Sequence, residues 1–331
     1  MTDNMDLKFV LKLRAKAHSL VREFFDERNF LSVETPIIVP TPGTETYLDY
    51  FSTEWIDFKE KSHRRYLRSS PELHLKQYLS KGLHHIYEIG PCFRNGGEKA
   101  KWHHPEFTML EYYTTANSYH EFMTLTEKLV HHLRSGLLTF YPRLTEIPHP
   151  IPRLSVADAF FQATGIELID QDKDLVKKAQ AANFSSIHDG DDFESAFFKI
   201  LLDKVEPYLA SFQAVFLYDY PASQAALAKV ERNVAERFEL YLYGEEICNA
   251  FHELTDPKEN LGRYDDTQLK RREIGKEAID LDKNFVDALQ EGLPTSCGCA
   301  LGFDRLLAVL CQLESIDNVI PFRKNEIYSD T

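Results

Sequence analysis

The segment from residue 93 to residue 113 constrains this chain most, because it places charged side chains inside a predicted hairpin. Two extended stretches flank a polar loop rich in glycine and lysine, and side chains alternate between the faces of a strand. Phe107, Met109 and Glu111 therefore share one face of the second strand. A carboxylate on an apolar face is costly unless a cation meets it. The pattern predicts either a ligand site or a structural ribbon held by salt bridges.

Composition indicates a globular chain with a large core. The 331 residues are 43% hydrophobic, which suits one core or one core with a small subdomain. The net charge of −14 argues against nonspecific binding of nucleic acid phosphates as the main activity. Five cysteines without a CxxC pair disfavour a disulfide scaffold or a zinc site. We therefore expect a cytoplasmic protein with reduced thiols. The sequence has no cleavable leader pattern and no stretch of membrane-spanning length, so no membrane association is expected.

The opening of the chain predicts a long amphipathic helix followed by a strand. Apolar residues recur at helical spacing from Leu7 to Arg28, with charged residues between them. The stretch from Phe30 to Pro36 resembles a strand that ends at proline, which cannot donate to a ladder. This unit is either the edge of an α+β domain or a dimer interface.

A second helix start lies at Ser70, Pro71 and Glu72. Ser70 suits an N-cap, Pro71 suits the first helical position, and Glu72 is a carboxylate of the first turn. Glu72 either compensates the helix dipole or has a role in binding.

Two successive strand patterns, residues 234–243 and 246–254, carry acidic residues on either side of a turn at Gly244. Glu239 and Glu246 are predicted to lie across this turn from each other, where they repel unless a cation intervenes. Mg²⁺ prefers such oxygen ligands. The alternative is surface acidity without a metal.

The end of the chain predicts a strand of small residues followed by a helix. Gly298, Ala300 and Gly302 alternate on the strand, so one face is expected to be bare backbone that a flat ligand could approach. Arg305 lies in the first turn of the helix beside Asp304, and an arginine there suggests an anionic ligand. By contrast, residues 171–207 are predicted to be helical and polar, and they are the least informative part of the sequence.

Several of these motifs occur in one order, and together they resemble the class II aminoacyl-tRNA synthetases, in particular the lysyl branch. The resemblance spans nearly the whole chain and is weak only through about residues 141–210. It implies an α+β fold in which an antiparallel β-sheet is flanked by helices. It also implies one catalytic domain over residues 1–331, in which residues 141–210 form a variable, mainly helical insertion. The matching segments are Phe93–Arg94, Ser70–Glu72, Pro105–Glu111, Arg237–Glu239, Asn249–Leu254 and Asp304–Arg305.

Within this family the chain is similar to truncated lysyl-type paralogues, which attach (R)-β-lysine to a lysine of translation elongation factor P. Only six residues precede the first helix, so no room is expected for the anticodon-binding OB-fold of lysyl-tRNA synthetases. The segment Pro221–Ala228 supports the same resemblance. Ala300 stands where tRNA-charging enzymes have glycine, and one methyl group in an amino-acid site is worth about 1–3 kcal/mol of discrimination.

The resemblance implies ATP as a substrate, Mg²⁺ as a cofactor and a homodimer formed through the first motif, which is the opening unit of helix, strand and proline up to Pro36. Arg94 would hold the α-phosphate and the substrate carboxylate, and Arg305 the γ-phosphate. Glu239 and Glu246 would bind Mg²⁺. The ATP site would comprise Arg94, Asn95, Gly96, Glu98, His104, Glu246, Ile247, Gly302 and Arg305. The amino-acid site would comprise Ser70, Pro71, Glu72, Glu111, Tyr113, Asn249, Phe251, Glu253 and Ala300, in which Glu111, Tyr113 and Glu253 receive the distal ammonium and Glu72 the other amine.

The chain departs from the family pattern around the nucleotide. Gly96 replaces the glutamate of the Arg-x-Glu motif, and the loop to His103 is one residue longer than usual, so Glu98 is a candidate replacement for the lost contact. His104 stands in place of asparagine and Ala250 in place of glycine. These changes bear on ATP affinity and amino-acid choice.

Three functions follow from the resemblance. The first is an ATP-dependent ligase that adenylates (R)-β-lysine or lysine and modifies elongation factor P, without stable tRNA binding. The second is a lysine-adenylating enzyme with another acceptor, such as a tRNA end or a small amine. The third is a non-catalytic paralogue with a regulatory role, which Gly96 and His104 would favour.

Overall fold

The computed structural model describes residues 6–96, 101–115 and 118–327. The chain divides into two compact units, each discontinuous in sequence. The first unit takes in the described residues of 1–117, 128–145 and 253–331, and the second takes in those of 118–127 and 146–252. The prediction of a single catalytic domain over residues 1–331 stays a prediction.

Helices and strands are numbered along the chain. The helices are α1 (Leu7–Asp26), α2 (Glu72–Ser80), α3 (Tyr119–Leu138), α4 (Val156–Thr164), α5 (Leu175–Ala181), α6 (Phe193–Ile200), α7 (Glu206–Leu209), α8 (Pro257–Glu273), α9 (Lys283–Glu291), α10 (Phe303–Leu310) and α11 (Lys324–Ile327). The strands are β1 (Leu31–Ser32), β2 (Ile38–Val39), β3 (Ser52–Ile56), β4 (Ser62–Leu67), β5 (His85–Phe93), β6 (Glu106–Thr114), β7 (Arg153–Ser155), β8 (Ala214–Pro221), β9 (Val230–Glu231), β10 (Val234–Leu242), β11 (Glu245–His252) and β12 (Cys297–Gly302).

Helix α1 forms because its apolar residues recur every three or four positions and fill one face. That face is buried at Val10, Leu13, Ala17, Leu20, Val21, Phe24 and Phe25. The helix ends at Asp26, two residues before the predicted end, and Asn29 then adopts a left-handed conformation with φ 58°. The amphipathic helix predicted from the sequence is confirmed.

In the first unit, the predicted hairpin of residues 93–113 forms the antiparallel pair β5–β6. Strand β12 pairs with the other edge of β6 in antiparallel fashion, and the short β1 pairs with β5 in parallel. A separate sheet has the order β2-β4-β3. Helix α2 packs with α9 on a cluster that includes Ile86 and Tyr113, so it lies beside the charged end of β6.

The second unit has antiparallel pairs β8–β10, β10–β9 and β10–β11, and a parallel pair β7–β8. A two-residue turn joins β10 to β11. Tyr243 and Gly244 both have positive φ, 51° and 83°, as in the type I′ turns of tight hairpins. The turn that was predicted at Gly244 is therefore confirmed.

The segment from residue 156 to residue 209 is not simply polar, as the sequence had suggested for residues 171–207. Helices α4 to α7 bury an apolar cluster that includes Phe160, Phe197, Ile200 and Val205. A π-helical turn, Leu201–Val205, connects α6 to α7 just before Pro207. Proline has no N–H for the preceding turn, which explains the wider hydrogen-bond spacing.

The α+β fold class is confirmed. Most strand pairs are antiparallel, with parallel pairs at β1–β5 and β7–β8, and helices flank the sheets. Among the described residues, no helix is both long enough and apolar enough to cross a membrane.

Candidate active site

Glu111 lies near the end of β6 and is almost fully buried, at 1% exposure. Its two oxygens accept different hydroxyl groups: Ser70 Oγ donates to Oε2 at 2.7 Å, and Tyr113 OH donates to Oε1 at 2.8 Å. Burial raises the pKa of Glu111, and the charge of Lys76, the cation that the apolar face requires, opposes this shift from longer range. Among the described residues, Glu111 is therefore held by hydrogen bonds from two hydroxyl groups and not by a salt bridge.

Ser70 also orients the start of α2. The helix begins at Glu72, one residue later than predicted, and buried Pro71 occupies the N-cap position. The backbone N–H of Glu72 donates to Ser70 Oγ at 3.0 Å, so this hydroxyl satisfies one helix N–H and one carboxylate at once.

Lys76 brings together two further carboxylates. Its Nζ lies 2.6 Å from Glu72 Oε1, one helical turn away, and 2.7 Å from Glu253 Oε2. The side chains of Lys76 and Glu253 are both 1% exposed, whereas that of Glu72 is 20% exposed. We call Glu72, Lys76, Glu111, Tyr113 and Glu253 the carboxylate cluster. It reaches from a partly exposed end at Glu72 into the interior of the first unit.

The cluster contains three carboxylates and one ammonium group, so its fully ionised form carries a net charge of minus two. Burial raises the pKa of Glu111 to about 8, helped by the charge of Glu72. Burial also raises the pKa of Glu253 to about 7, although Lys76 opposes the shift. For Lys76, burial lowers the pKa but Glu253 and Glu72 outweigh it, so the group stays cationic. The cluster is therefore poised to receive positive charge.

Strand β12 packs against this cluster without leaving bare backbone. Gly298 pairs with Tyr113, and Ala300 pairs with Glu111. A Cβ on Gly298 would lie 2.2 Å from Tyr113 Cε1 and 2.5 Å from Glu253 Oε1. The prediction of an open face at Gly298 was wrong, because these two side chains fill it. Ala300 adds its methyl group on the same side of the sheet as Glu111.

Lys76 is the member of the cluster that sequence reasoning missed. Its signal was present, because Glu72 and Lys76 are four residues apart and such pairs meet on a helix. What the sequence could not show was the second partner, Glu253, which is 177 positions further along the chain.

Arg94 follows β5 directly and is held by its backbone, whose N–H donates to Pro105 O at 3.0 Å. Its guanidinium lies over the Phe107 ring, with Cζ 5.2 Å from the centroid. The buried Nε–H donates to no acceptor among the described residues, so this donor is left for a ligand. Asn95 and Gly96 are exposed beyond it, and Gly96 has φ 65°.

Two other predicted ATP-site residues flank this turn. His104 is buried, and its Nδ1 contacts the backbone of Glu106. Glu98, the predicted replacement for the lost family contact, lies outside the described residues.

The start of α10 is fixed by Asp304, which is 3% exposed. Asp304 Oδ2 accepts the backbone N–H of Thr108 at 2.6 Å, and Oδ1 accepts Arg14 Nη1 at 2.5 Å. Arg14 also donates to Thr108 Oγ1 at 2.8 Å. Gly302 is the N-cap residue of α10, and the half-buried Arg305 lies in the first turn. The contacts of Asp304 tie this turn to both α1 and β6.

In the second unit, the predicted metal ligands surround Arg237. Glu239 Oε1 accepts Arg237 Nη2 at 2.6 Å, and Oε2 accepts Tyr241 OH at 2.8 Å. Arg237 Nε also donates to Asn249 Oδ1 at 3.1 Å. Burial lowers the pKa of Arg237, but the negative charges of Glu239 and, to a smaller extent, Glu246 raise it above its ordinary value.

The register corrects one detail of the sequence prediction. Glu239 pairs with Asn249, and Glu246 pairs with Tyr241 past a bulge after Leu240, so the two carboxylates are not directly opposite. Oxygen donors still converge here, and each oxygen of Glu239 keeps a lone pair beside the bond it accepts. The donor set therefore fits Mg²⁺. Phe251 lies 5.7 Å from Arg237, measured from ring centroid to Cζ, and Ile247 is buried.

The sequence matches the model of one protein family, described as class II tRNA synthetases (D, K and N), over residues 1–326. The chain belongs to this family.

Its relatives include enzymes named for two acceptors. An elongation factor P–(R)-β-lysine ligase of Vibrio atlanticus (strain LGP32) is 36% identical over 320 residues, covering 94% of each chain. One of Haemophilus influenzae (strain PittGG) is 34% identical over 322 residues, covering 96% of this chain and 95% of the relative. A lysine–tRNA ligase of Fervidobacterium nodosum is 35% identical over 323 residues, covering 94% of this chain and 61% of the relative. The resemblance to this family and to its elongation factor P ligases is thereby confirmed.

Proposed function

We propose that this protein is an ATP-dependent ligase that activates (R)-β-lysine or lysine as an adenylate and transfers it to a lysine side chain of translation elongation factor P. The carboxylate cluster carries the proposal. The fully ionised form of this buried site, with its net charge of minus two, is unfavourable when the site is empty, and a substrate with two ammonium groups neutralises it. Glu111, Tyr113 and Glu253 would receive the distal ammonium, and Glu72 the other amine.

The chemistry needs positioned charge and no protein nucleophile. The substrate carboxylate attacks the α-phosphorus of ATP and pyrophosphate leaves; an acceptor amine then attacks the acyl carbon, loses a proton and displaces AMP. Arg94 would hold the substrate carboxylate and the α-phosphate, and its unpartnered Nε supports that role. Arg305 would hold the γ-phosphate. Such positioning and charge neutralisation are the main sources of rate in phosphoryl and acyl transfer of this kind.

The remaining nucleotide assignments rest on the family motifs. Asn95, Gly96, His104, Ile247 and Gly302 would contact ATP, and Asn249, Phe251 and Ala300 would line the amino-acid site. Glu239 and Glu246 would hold Mg²⁺, which would neutralise phosphate charge when bound. Arg237 would hold Glu239 in position, since its Nη2 donates to Glu239 Oε1 at 2.6 Å.

Elongation factor P is favoured as the acceptor over tRNA by two kinds of observation. Relatives named elongation factor P–(R)-β-lysine ligase match nearly their full length at 34–36% identity. Ala300 and the segment Pro221–Ala228 resemble the same group. A tRNA acceptor is the second candidate, because a lysine–tRNA ligase is 35% identical to this chain.

One labelling experiment separates these functions. The purified full chain is incubated with ATP, Mg²⁺ and radiolabelled (R)-β-lysine or lysine, and with elongation factor P, unfractionated tRNA or no acceptor. We expect label on elongation factor P alone. Label on tRNA alone would favour the second candidate, and the absence of ATP–pyrophosphate exchange with either amino acid would favour a regulatory paralogue. Glu246→Ala is expected to abolish exchange.

We further propose a homodimer in the cytoplasm, formed through the first-motif segment. Leu31 lies in this segment, and Ile37 and Ile38 follow it directly. Their side chains are 52%, 39% and 56% exposed, which is unusual for large apolar side chains so close together. Light scattering coupled to size-exclusion chromatography should give twice the chain mass of 38.4 kDa. A monomer at micromolar concentration would reject this assignment.

A further inference from the structure

Lys76 is the cation at the centre of the carboxylate cluster, and it contacts only one oxygen of each neighbouring carboxylate. Nζ lies 2.6 Å from Glu72 Oε1 and 2.7 Å from Glu253 Oε2. The simplest explanation of such a buried ion pair is structural, since it ties α2 to the segment that follows β11. That explanation leaves the second oxygen of Glu253 unaccounted for.

Glu253 Oε1 is buried and accepts no hydrogen bond from the described residues. The side chain is only 1% exposed, and Oε1 packs so close to Gly298 that a Cβ there would lie 2.5 Å from it. A buried carboxylate oxygen without a hydrogen bond costs free energy, so native structures rarely leave one without a partner. Glu72 likewise gives Lys76 only Oε1, at the partly exposed end of the cluster.

Other charges nearby are already matched. Glu88 pairs with Glu111 across β5 and β6, but its Oε1 lies 2.7 Å from the buried Arg68 guanidinium. Glu111 uses both oxygens on Ser70 and Tyr113. The fixed ammonium of Lys76 therefore decides how Glu72 and Glu253 are held relative to each other.

We propose that Lys76 is a positioning residue that fixes Glu72 and Glu253 and thereby sets the spacing between the two ammonium groups that the cluster accepts. This inference rests on the proposed function, because it assumes a diamino acid as substrate. The two amines are one carbon–carbon bond closer in (R)-β-lysine than in lysine. A rigid pair of carboxylates distinguishes these isomers, whereas a pair free to move accommodates both.

The test compares the two isomers in ATP–pyrophosphate exchange with the full chain. We expect the wild-type values of kcat/KM for lysine and (R)-β-lysine to differ by at least about tenfold. Lys76→Met keeps most of the length of the side chain but removes its charge, and it should bring the two values to within about threefold of each other. A parallel fall for both isomers with an unchanged ratio is the result of a purely structural role and overturns the proposal.

A second variant keeps the test decisive if Lys76→Met does not fold. Glu72→Asp preserves the charge at the partly exposed end but withdraws the carboxylate by one methylene group, so the isomer ratio should change by about tenfold. An unchanged ratio contradicts the proposal. Lys81→Met is the matched control, because Lys81 is 63% exposed and its partner Glu291 lies outside the cluster. The ratio of kcat/KM for the two isomers should be the same in Lys81→Met as in the wild type.

The two levels of failure are distinguishable. If the wild-type chain catalyses exchange with neither isomer, the proposed function fails and the spacing role fails with it. If it catalyses exchange with both at equal kcat/KM, the function survives and the role of Lys76 is rejected.

Discussion

At the scale of single residues, Glu111 and Glu253 are carboxyl groups whose protonation decides whether the cluster is charged. Burial raises their pKa values to about 8 and about 7, so both hold protons in mildly acidic solution when no substrate is bound. An ammonium group needs the ionised form. Substrate binding is therefore coupled to the release of these protons.

We expect the KM for the amino acid to fall by at least about tenfold between pH 6 and pH 8.5, because deprotonation prepares the cluster for the ammonium group. ATP–pyrophosphate exchange at saturating ATP measures this profile. A variant with Glu111→Gln should have a higher KM that depends less on pH. A wild-type KM that rises over this range would contradict the charge assignment.

The raised pKa values of Glu111 and Glu253 also determine how the stability of the substrate-free protein depends on pH. Their folded pKa values lie above the ordinary value of 4.5, so the folded state binds more protons between pH 4.5 and about 8. Their contribution is present at low pH and is lost as pH rises through this window. Thermal melts from pH 5 to pH 8 should show a smaller pH-dependent loss for Glu111→Gln than for the wild type.

Position 298 requires glycine, because Tyr113 and Glu253 occupy the space that a Cβ would need. An added Cβ would lie 2.2 Å from Tyr113 Cε1 and 2.5 Å from Glu253 Oε1, so Gly298→Ala must displace both. We expect a loss of about 1–3 kcal/mol in unfolding free energy and a KM for the amino acid that rises more than tenfold. Denaturant melts and pyrophosphate exchange measure the two effects.

Gly262→Ala is the matched control and should act in the opposite direction. Gly262 lies within α8, and nothing lies within 4 Å of an added Cβ. Alanine in a helix interior is favoured over glycine by about 0.5–1 kcal/mol, so this variant should be slightly more stable with an unchanged KM.

At the scale of elements, Arg14 of α1 ties the first turn of α10 to β6 through Asp304 and Thr108. Arg14→Met would leave the buried carboxylate of Asp304 without its cation, at a cost of about 3–5 kcal/mol. We expect a lower Tm and a higher KM for ATP, since Arg305 follows Asp304 on the same turn. Arg22→Met on the exposed face of α1 should change stability by less than about 0.5 kcal/mol. Equal effects of the two substitutions would exclude the role of Arg14.

The elements and the motifs could be predicted from local sequence, but the contacts between distant segments could not. Periodicity defined α1, and the turn residues defined the β10–β11 hairpin. The irregularity after Leu240 places Asn249 opposite Glu239, and no local pattern in the sequence predicts such a bulge. Lys76 and Glu253 meet only through the fold, so their ion pair was invisible in the sequence.

At the scale of the whole molecule, the charge balance affects which acceptors bind. The chain has 52 acidic and 38 basic residues, so its net field repels a polyanion such as tRNA. An acceptor protein held by specific contacts does not require a basic surface. The net charge thus favours a protein acceptor on physical grounds that are independent of the relatives' names.

We therefore expect unfractionated tRNA to bind more weakly than a Kd of about 10⁻⁴ M at physiological salt, the weak end of nonspecific nucleic acid binding. Fluorescence anisotropy of labelled tRNA at several salt concentrations from about 50 to about 200 mM measures this affinity and its dependence on salt. A slope close to zero fits the absence of a phosphate-binding surface. Micromolar binding with a steep slope would reveal a local basic patch despite the negative total charge, and it would favour tRNA as the acceptor.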